Sequence, residues 1–256
     1  MAEKTTRPAI QVIDRMKNLL AALAAHSAPV NLKRLAEETG LHPSTAHRIL
    51  NVMVGKRMVD RVEPGAYRLG VRLLELGALV RARLNLRDEA LPFMRELQSE
   101  IGGTVSLWSR QRDEVVCVER IAPESQPLRA AHTAGTRMPL HATAAGKLFL
   151  AADGPDKWLE YAQRTGLPKV TAATLTESAA LQLAIDSASQ HGCAFDHEEA
   201  EKGVCCVSAG ICDVDGRLVA ALSASAPTDR FDKAWAATVR QTAMRISRAV
   251  GCAAPD

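Results

Sequence analysis

The chain has 256 residues, 47% of them hydrophobic and 24% charged, which is enough apolar material for two packed domains. Its net charge of +3 is unevenly placed: residues 1–84 hold 14 Lys and Arg against 7 Asp and Glu, and the rest hold 18 against 22. No run approaches 18 uninterrupted apolar residues and the N-terminal residues show no signal-peptide core, so a cytoplasmic, soluble protein without a membrane span is expected.

In chain order, Ile10, Ile13, Met16, Leu19, Leu20 and Leu23 recur at helical spacing and predict a support helix over 9–25. Residues 30–51, VNLKRLAEETGLHPSTAHRILN, read as two short helices around a tight turn. Leu32, Leu35, Ala36 and Thr39 share a face of the first. Gly40 supplies the positive φ of the turn, and Pro43 opens the second helix, where its missing N–H costs nothing. Ala46, Ile49, Leu50 and Met53 form the buried face of that second helix. The outer face carries Ser44, Thr45, His47, Arg48 and Asn51 with no acid among them, a set suited to phosphates and base edges in a major groove. Two β-prone runs then flank Pro64-Gly65, with Arg57, Arg61 and Arg68 in or beside the hairpin. A helix-turn-helix followed by a basic wing points to double-stranded DNA far more specifically than either part alone; a helical hairpin by itself would be a plain packing unit.

After the wing ends near Leu69, residues 70–85 predict a linker helix striped by Leu73, Leu76, Leu79 and Val80, suited to its own domain or to a second subunit. A helix over about 87–101 (Leu91, Met94, Leu97, Ile101) precedes a hairpin, TVSLWSR and VVCVERI, across the polar turn QRDE. PLRAAH at 127–132 predicts a third strand. Helices are expected in LHATAAGKLFLAA, near 155–165 and over 176–191. Strands follow in CAFDHEE, VCCVSAGICDV and RLVAALSASA, the last two joined by a two-residue turn at Asp215-Gly216. A helix over about 230–250 with Trp235, Val239, Met244 and Ile246 closes the chain. The predicted class is α+β: a winged helix-turn-helix domain over 1–69, a linker helix over 70–85, and an antiparallel sheet with packed helices over 86–256.

Within the second domain, Ala144, Ala145 and Gly146 fall at a predicted helix N-terminus. Small side chains there either open backbone N–H groups to an anion or allow close packing on a sheet. His141 and Thr143 are placed to cap that helix or to face a ligand, and Lys147 is expected to be a solvated charge. Ser223 and Ser225 lie two apart on an apolar strand and so face the same side, where a ligand or backbone carbonyls must satisfy them.

The winged helix-turn-helix, the linker, the run Pro139-Leu140-His141-Ala142-Thr143-Ala144-Ala145-Gly146-Lys147 and the Asp196–Asp213 segment together resemble the IclR family of bacterial transcription regulators, from about Ile10 to Arg248. The resemblance implies a homodimer or homotetramer that binds operator DNA. It also implies a C-terminal sheet domain of GAF- or profilin-like topology holding a small-molecule effector, a carboxylate or aromatic acid. Ligand contacts would fall at Ala144, Ala145, Asp196, Cys206, Ser223 and Ser225; Asp196 is otherwise a turn residue and Cys206 a core residue. The chain departs from the family pattern where the Ser-x-Ser strand runs into Ala226-Pro227 rather than Gly-Pro.

The competing class is a cysteine-dependent enzyme, pairing Cys206 with His191 or His197 and Asp196, or a redox sensor at Cys205-Cys206. No nucleophile elbow, phosphate loop or metal signature accompanies them, vicinal cysteines on a strand point to opposite faces, and the six cysteines contain no C-x-x-C pair. No cofactor, metal or catalytic residue is expected.

Overall fold

In the computed structural model, residues 11–83, 85–123 and 133–252 are described. The chain forms two compact units, 1–84 and 85–256.

The first unit opens with α1 (Gln11–Ala24), whose Leu19 and Leu23 are buried while Ile13 faces outward. A two-residue strand, β1 (Val30–Asn31), leads into α2 (Leu32–Thr39). Asn31 caps that helix, its Oδ1 accepting the Arg34 N–H at 2.9 Å. Gly40 closes α2 at φ 64, which a residue with a Cβ adopts only under strain. The second helix, α3 (Pro43–Gly55), buries the four apolar residues expected of it. β2 (Val59–Glu63) and β3 (Ala66–Leu69) form the wing, and β1 adds to it through Val30 opposite Tyr67. Sequence reading missed β1, because two residues carry no periodicity. The linker, α4 (Val71–Arg83), packs no fully buried side chain among those described, and Leu74 and Leu79 are 72% and 67% exposed. The expected Val80 contact lies outside the described side chains.

The second unit starts with α5 (Leu86–Ile101) and the hairpin β4 (Thr104–Gln111) and β5 (Glu114–Ile121). Gln111 pairs with Glu114, so the predicted four-residue turn tightens to Arg112-Asp113. The strand expected at 127–132 lies outside the described residues; β6 (Arg137–Pro139) pairs with β5. A 3-10 turn at Leu140–Ala142 precedes α6 (Ala144–Asp153), α7 (Pro155–Thr165) and α8 (Ser178–His191). Then come β7 (Cys193–His197), β8 (Val204–Cys212), β9 (Leu218–Pro227) and α9 (Trp235–Ala249).

The β8–β9 connection is wider than expected. Asp213 N–H donates to Arg217 O, leaving Val214, Asp215 and Gly216 as a three-residue loop with Gly216 at φ 73. α9 begins five residues later than its pattern suggested, and Met244 points outward; Val239, Thr242, Ala243 and Ile246 make its buried face.

Six strands form one antiparallel sheet in the order β6-β5-β4-β9-β8-β7. Val105, Ala224 and Val207 stand side by side on its three central strands, within the apolar cluster that includes α5 and α9. A second cluster, with α6, α7 and α8, includes Trp108 and Ala221. Two-sided coverage of an antiparallel sheet gives α+β, as expected.

Candidate functional site

On α3, Ser44, Arg48 and Asn51 are exposed, and Thr45 and His47 are half-buried. His42 caps the helix and also meets Ser44, Nδ1 to Oγ at 2.8 Å, so the first turn is held at the end that presents the small donors. Asn51 Nδ2 lies 3.3 Å from His47 Nε2, one helical turn away. The three wing-associated arginines differ in setting. Arg61 sits over the Tyr67 ring at 5.9 Å, and Arg68 is 3.6 Å from Asp60. Arg57, in the left-handed region at φ 58, pairs with Glu75 of α4 at 3.1 Å, and Arg72 meets the same carboxylate at 2.8 Å. That site therefore ties the wing's base to the linker. Gly70 allows it: a Cβ there would lie 2.3 Å from Arg57 O.

In the second unit, a cavity of about 480 Å³ opens on the face of the sheet that bears α6. Ala144, Ala145, Asp196, Cys206, Ser223 and Ser225 all line it, brought together from α6, β7, β8 and β9. The three small residues of α6 divide by role. Ala144 and Ala145 face the cavity, whereas Gly146 permits close approach, since a Cβ would fall 2.1 Å from Leu140 O. Thr143 caps the helix through Gly146 N–H at 3.0 Å and also borders the cavity. His141 is buried elsewhere, between the Tyr161 hydroxyl at 2.8 Å and Pro168 O at 3.0 Å, and burial holds its pKa below the usual value.

Lys147 departs from expectation. It is 2% exposed and bridges Glu199 Oε1 at 2.6 Å and Phe195 O at 2.8 Å. An ammonium is tolerated there because both partners are fixed acceptors. The pair anchors the loop after β7, whose Ala200, Glu201, Lys202 and Gly203 form a cavity wall; Thr171 and Thr174 hold the same loop by donating to Glu198 O and Glu199 O at 2.7 Å each.

Asp196 serves the loop and the cavity together. Its Oδ1 accepts Glu199 N–H at 2.6 Å and Ala200 N–H at 3.3 Å, and the residue is 5% exposed. Burial pushes its carboxyl up to about 7, against the pull of the Glu199 N–H. Ser223 finds protein partners: its Oγ accepts Trp108 Nε1–H at 2.9 Å and reaches Ser106 O at 3.4 Å. Burial pushes the Cys206 thiol up to about 12, far from the thiolate that nucleophilic or redox chemistry requires. Cys205 faces Thr228 instead, Sγ to Oγ1 at 3.7 Å. Among the described residues no cluster of three His, Cys, Asp or Glu could hold a metal ion.

Sequence reasoning missed Thr104, Ser106, Ser208, Trp108 and Arg120, all of which line the cavity. Only the i, i+2 spacing of Thr104 with Ser106 and of Cys206 with Ser208, the same as Ser223 with Ser225, was available to signal them.

The IclR helix-turn-helix domain matches residues 12–63 and the C-terminal domain of the bacterial transcriptional regulator IclR matches residues 78–249. The chain belongs to the IclR family of transcriptional regulators. It is 32% identical to the HTH-type transcriptional regulator XynR of Escherichia coli K12, over 95% of this chain and 98% of that one. It is 36% identical to the regulator Rv1719 of Mycobacterium tuberculosis, over 90% and 87%. Among solved structures, the Agobacterium tumefaciens repressor BlcR shares the fold at TM-score 0.84 and 20% identity, covering 97% of this chain and all of its own. An IclR homologue from Microbacterium hydrocarbonoxydans complexed with 4-hydroxybenzoate superposes at TM-score 0.60 with 27% identity, over 93% of this chain and 98% of its own. Among the described residues no helix is long and apolar enough to cross a membrane.

Proposed function

We propose that this IclR-family regulator reads an inverted-repeat operator with α3 and the wing, and binds a small carboxylate or aromatic acid in the 480 Å³ cavity. Ser44, Thr45, His47, Arg48 and Asn51 would meet the major groove, with Arg61, Arg68 and Arg57 on the backbone or minor groove. The observation that carries the effector reading is the convergence of six residues from four elements on one cavity, beside the open N–H groups of α6 and the Arg120 guanidinium. The relative that holds 4-hydroxybenzoate supports an acid of this size. The exposed Leu74, Leu76 and Leu79 of α4 supply a contact for a homodimer or homotetramer. An effector alters operator affinity only by preferring one quaternary arrangement, and the Arg57–Glu75–Arg72 cluster couples the wing to the helix that would carry that change. The test is a thermal-shift screen of carboxylates and aromatic acids on the purified chain, followed by operator retardation with each hit. A hit that shifts retardation supports the reading; turnover of the hit would favour an enzyme instead.

A further inference from the structure

We infer that the effector is an aliphatic carboxylate bearing hydroxyls along its chain, recognised by a grid of side chains on β4, β9 and β8. The inference rests on the cavity being the effector site. In strand register, Thr104 stands opposite Ser225, and Ser225 opposite Cys206. One step along, Ser106 stands opposite Ser223, and Ser223 opposite Ser208. All six line the cavity: five hydroxyls and one thiol in two rows of three. Neighbouring strands lie about 4.8 Å apart and alternate residues about 6.7 Å apart, so the rows tile a continuous polar floor. The residues between them, Val105, Ala224 and Val207, are fully buried on the opposite face, which fixes the orientation of the grid.

A sheet face that could have been closed with valine and alanine instead presents donors and acceptors to the cavity. Ser208 is 0% exposed and its Oγ has no geometric hydrogen-bond partner, its interaction with the Cys206 thiol being a weak one. A buried hydroxyl without a partner is costly, and a ligand hydroxyl is the group that would satisfy it. An aromatic ring laid on this floor offers no donor and only a weak π acceptor through its face, whereas a hydroxylated chain offers strong donors and acceptors at successive carbons. The acid end has its own anchor. Ala144 and Ala145 place helix N–H groups at the cavity, and Arg120, also lining it, has its Nε buried without a partner.

Calorimetric titration of the full-length protein tests this with four classes of probe: the four- to six-carbon aldonates threonate, ribonate and gluconate; hexanoate, which has the acid without hydroxyls; sorbitol, which has hydroxyls without the acid; and 4-hydroxybenzoate. The expected result is that one aldonate binds at least about tenfold more tightly than the other three classes, the scale of one or two well-made hydrogen bonds. Ser208→Ala and Thr104→Val should each weaken that aldonate by about tenfold while shifting hexanoate, measured by competition, by less than about twofold. A variant that had lost its fold would lose both ligands together, so the ratio separates recognition from stability. Tighter binding of 4-hydroxybenzoate or hexanoate, or an unchanged aldonate affinity in Ser208→Ala, overturns the inference and leaves the effector cavity standing. Binding of none of the acids, with operator retardation unmoved by all of them, removes the cavity reading and this inference with it.

Discussion

The two units solve opposite problems of polarity. Among the described residues, every buried polar or charged side chain except the Tyr67 hydroxyl lies at residue 104 or beyond. Residues 11–83 bury apolar groups and turn Ser44, Arg48 and Asn51 outward, as a surface meeting a polyanion must. The second unit turns Thr104, Ser106, Asp196, Ser208 and Ser223 inward around a cavity, where each polar atom needs a partner or a ligand. Charge works at the surface of the first unit and desolvation works inside the second, so each responds to a different perturbation.

The largest expected effect attacks the packing beneath the cavity. Gly146→Val places a Cβ 2.1 Å from a backbone oxygen that cannot move without the whole 3-10 turn. Urea denaturation should show a loss of upwards of about 4 kcal/mol, beyond ordinary overpacking. Should the variant melt like the parent, the close approach of α6 to Leu140 is wrong and so is the cavity wall.

Next comes the buried acid, which sets the units apart by pH. Asp196 keeps its proton in the folded state up to about pH 7. An unfolded aspartate releases its proton near pH 4. Its stabilising contribution is therefore complete below about pH 4 and is lost as pH rises toward 7. Asp196→Asn retains an acceptor for the Glu199 and Ala200 N–H groups but cannot ionise. The stability difference between parent and variant, from urea denaturation at each pH, should move against the parent by about 3 kcal/mol between pH 4 and 7, the groups common to both cancelling. A difference that stays constant with pH would refute the assignment.

These contrasts also explain what the sequence made legible. A helix with one buried face advertises itself through 3.6-residue periodicity within one short segment, and so Ala46, Ile49, Leu50 and Met53 separated cleanly from Ser44, Arg48 and Asn51. The cavity depends on which strand pairs with which. Ser223 and Ser225 were visible because both lie on one strand; their neighbours Thr104 and Ser106 lie more than a hundred residues earlier and join them only through the β4–β9 register. Asp196 and Cys206 were reached through resemblance, and the structure adds that Asp196 is also the turn residue of the alternative reading. Lys147 misled because a lysine on an exposed-looking helix carries no local sign of Glu199, 52 residues away.

A smaller effect probes the outward-facing half of the comparison. Arg48→Ala should weaken operator binding by about 1–3 kcal/mol and relax sequence choice at one base pair if the contact is bidentate, read by mobility shift at fixed salt. Arg68→Ala, if Arg68 meets a phosphate as proposed, should instead weaken all sequences alike and reduce the salt slope by about one. Identical behaviour of the two variants would erase the distinction between base reading on α3 and backbone contact on the wing.

The smallest effect compares two helix caps in the two settings. Asn31 caps α2 at an exposed position through a single 2.9 Å hydrogen bond, whereas Thr143 caps α6 beside the cavity, 8% exposed. Asn31→Ala should cost about 1 kcal/mol, and Asn31→Gly only a few tenths, because glycine leaves the end of the helix open to water that replaces the lost acceptor. Thr143→Gly has no such rescue: the Gly146 N–H it satisfies is buried, so its loss should approach the larger cost of an unmet buried donor, about 1–3 kcal/mol. Denaturant titration of all three variants gives the comparison directly. If glycine is tolerated at 143 as well as at 31, water reaches the Gly146 N–H freely and the burial assigned to that end of α6 is wrong.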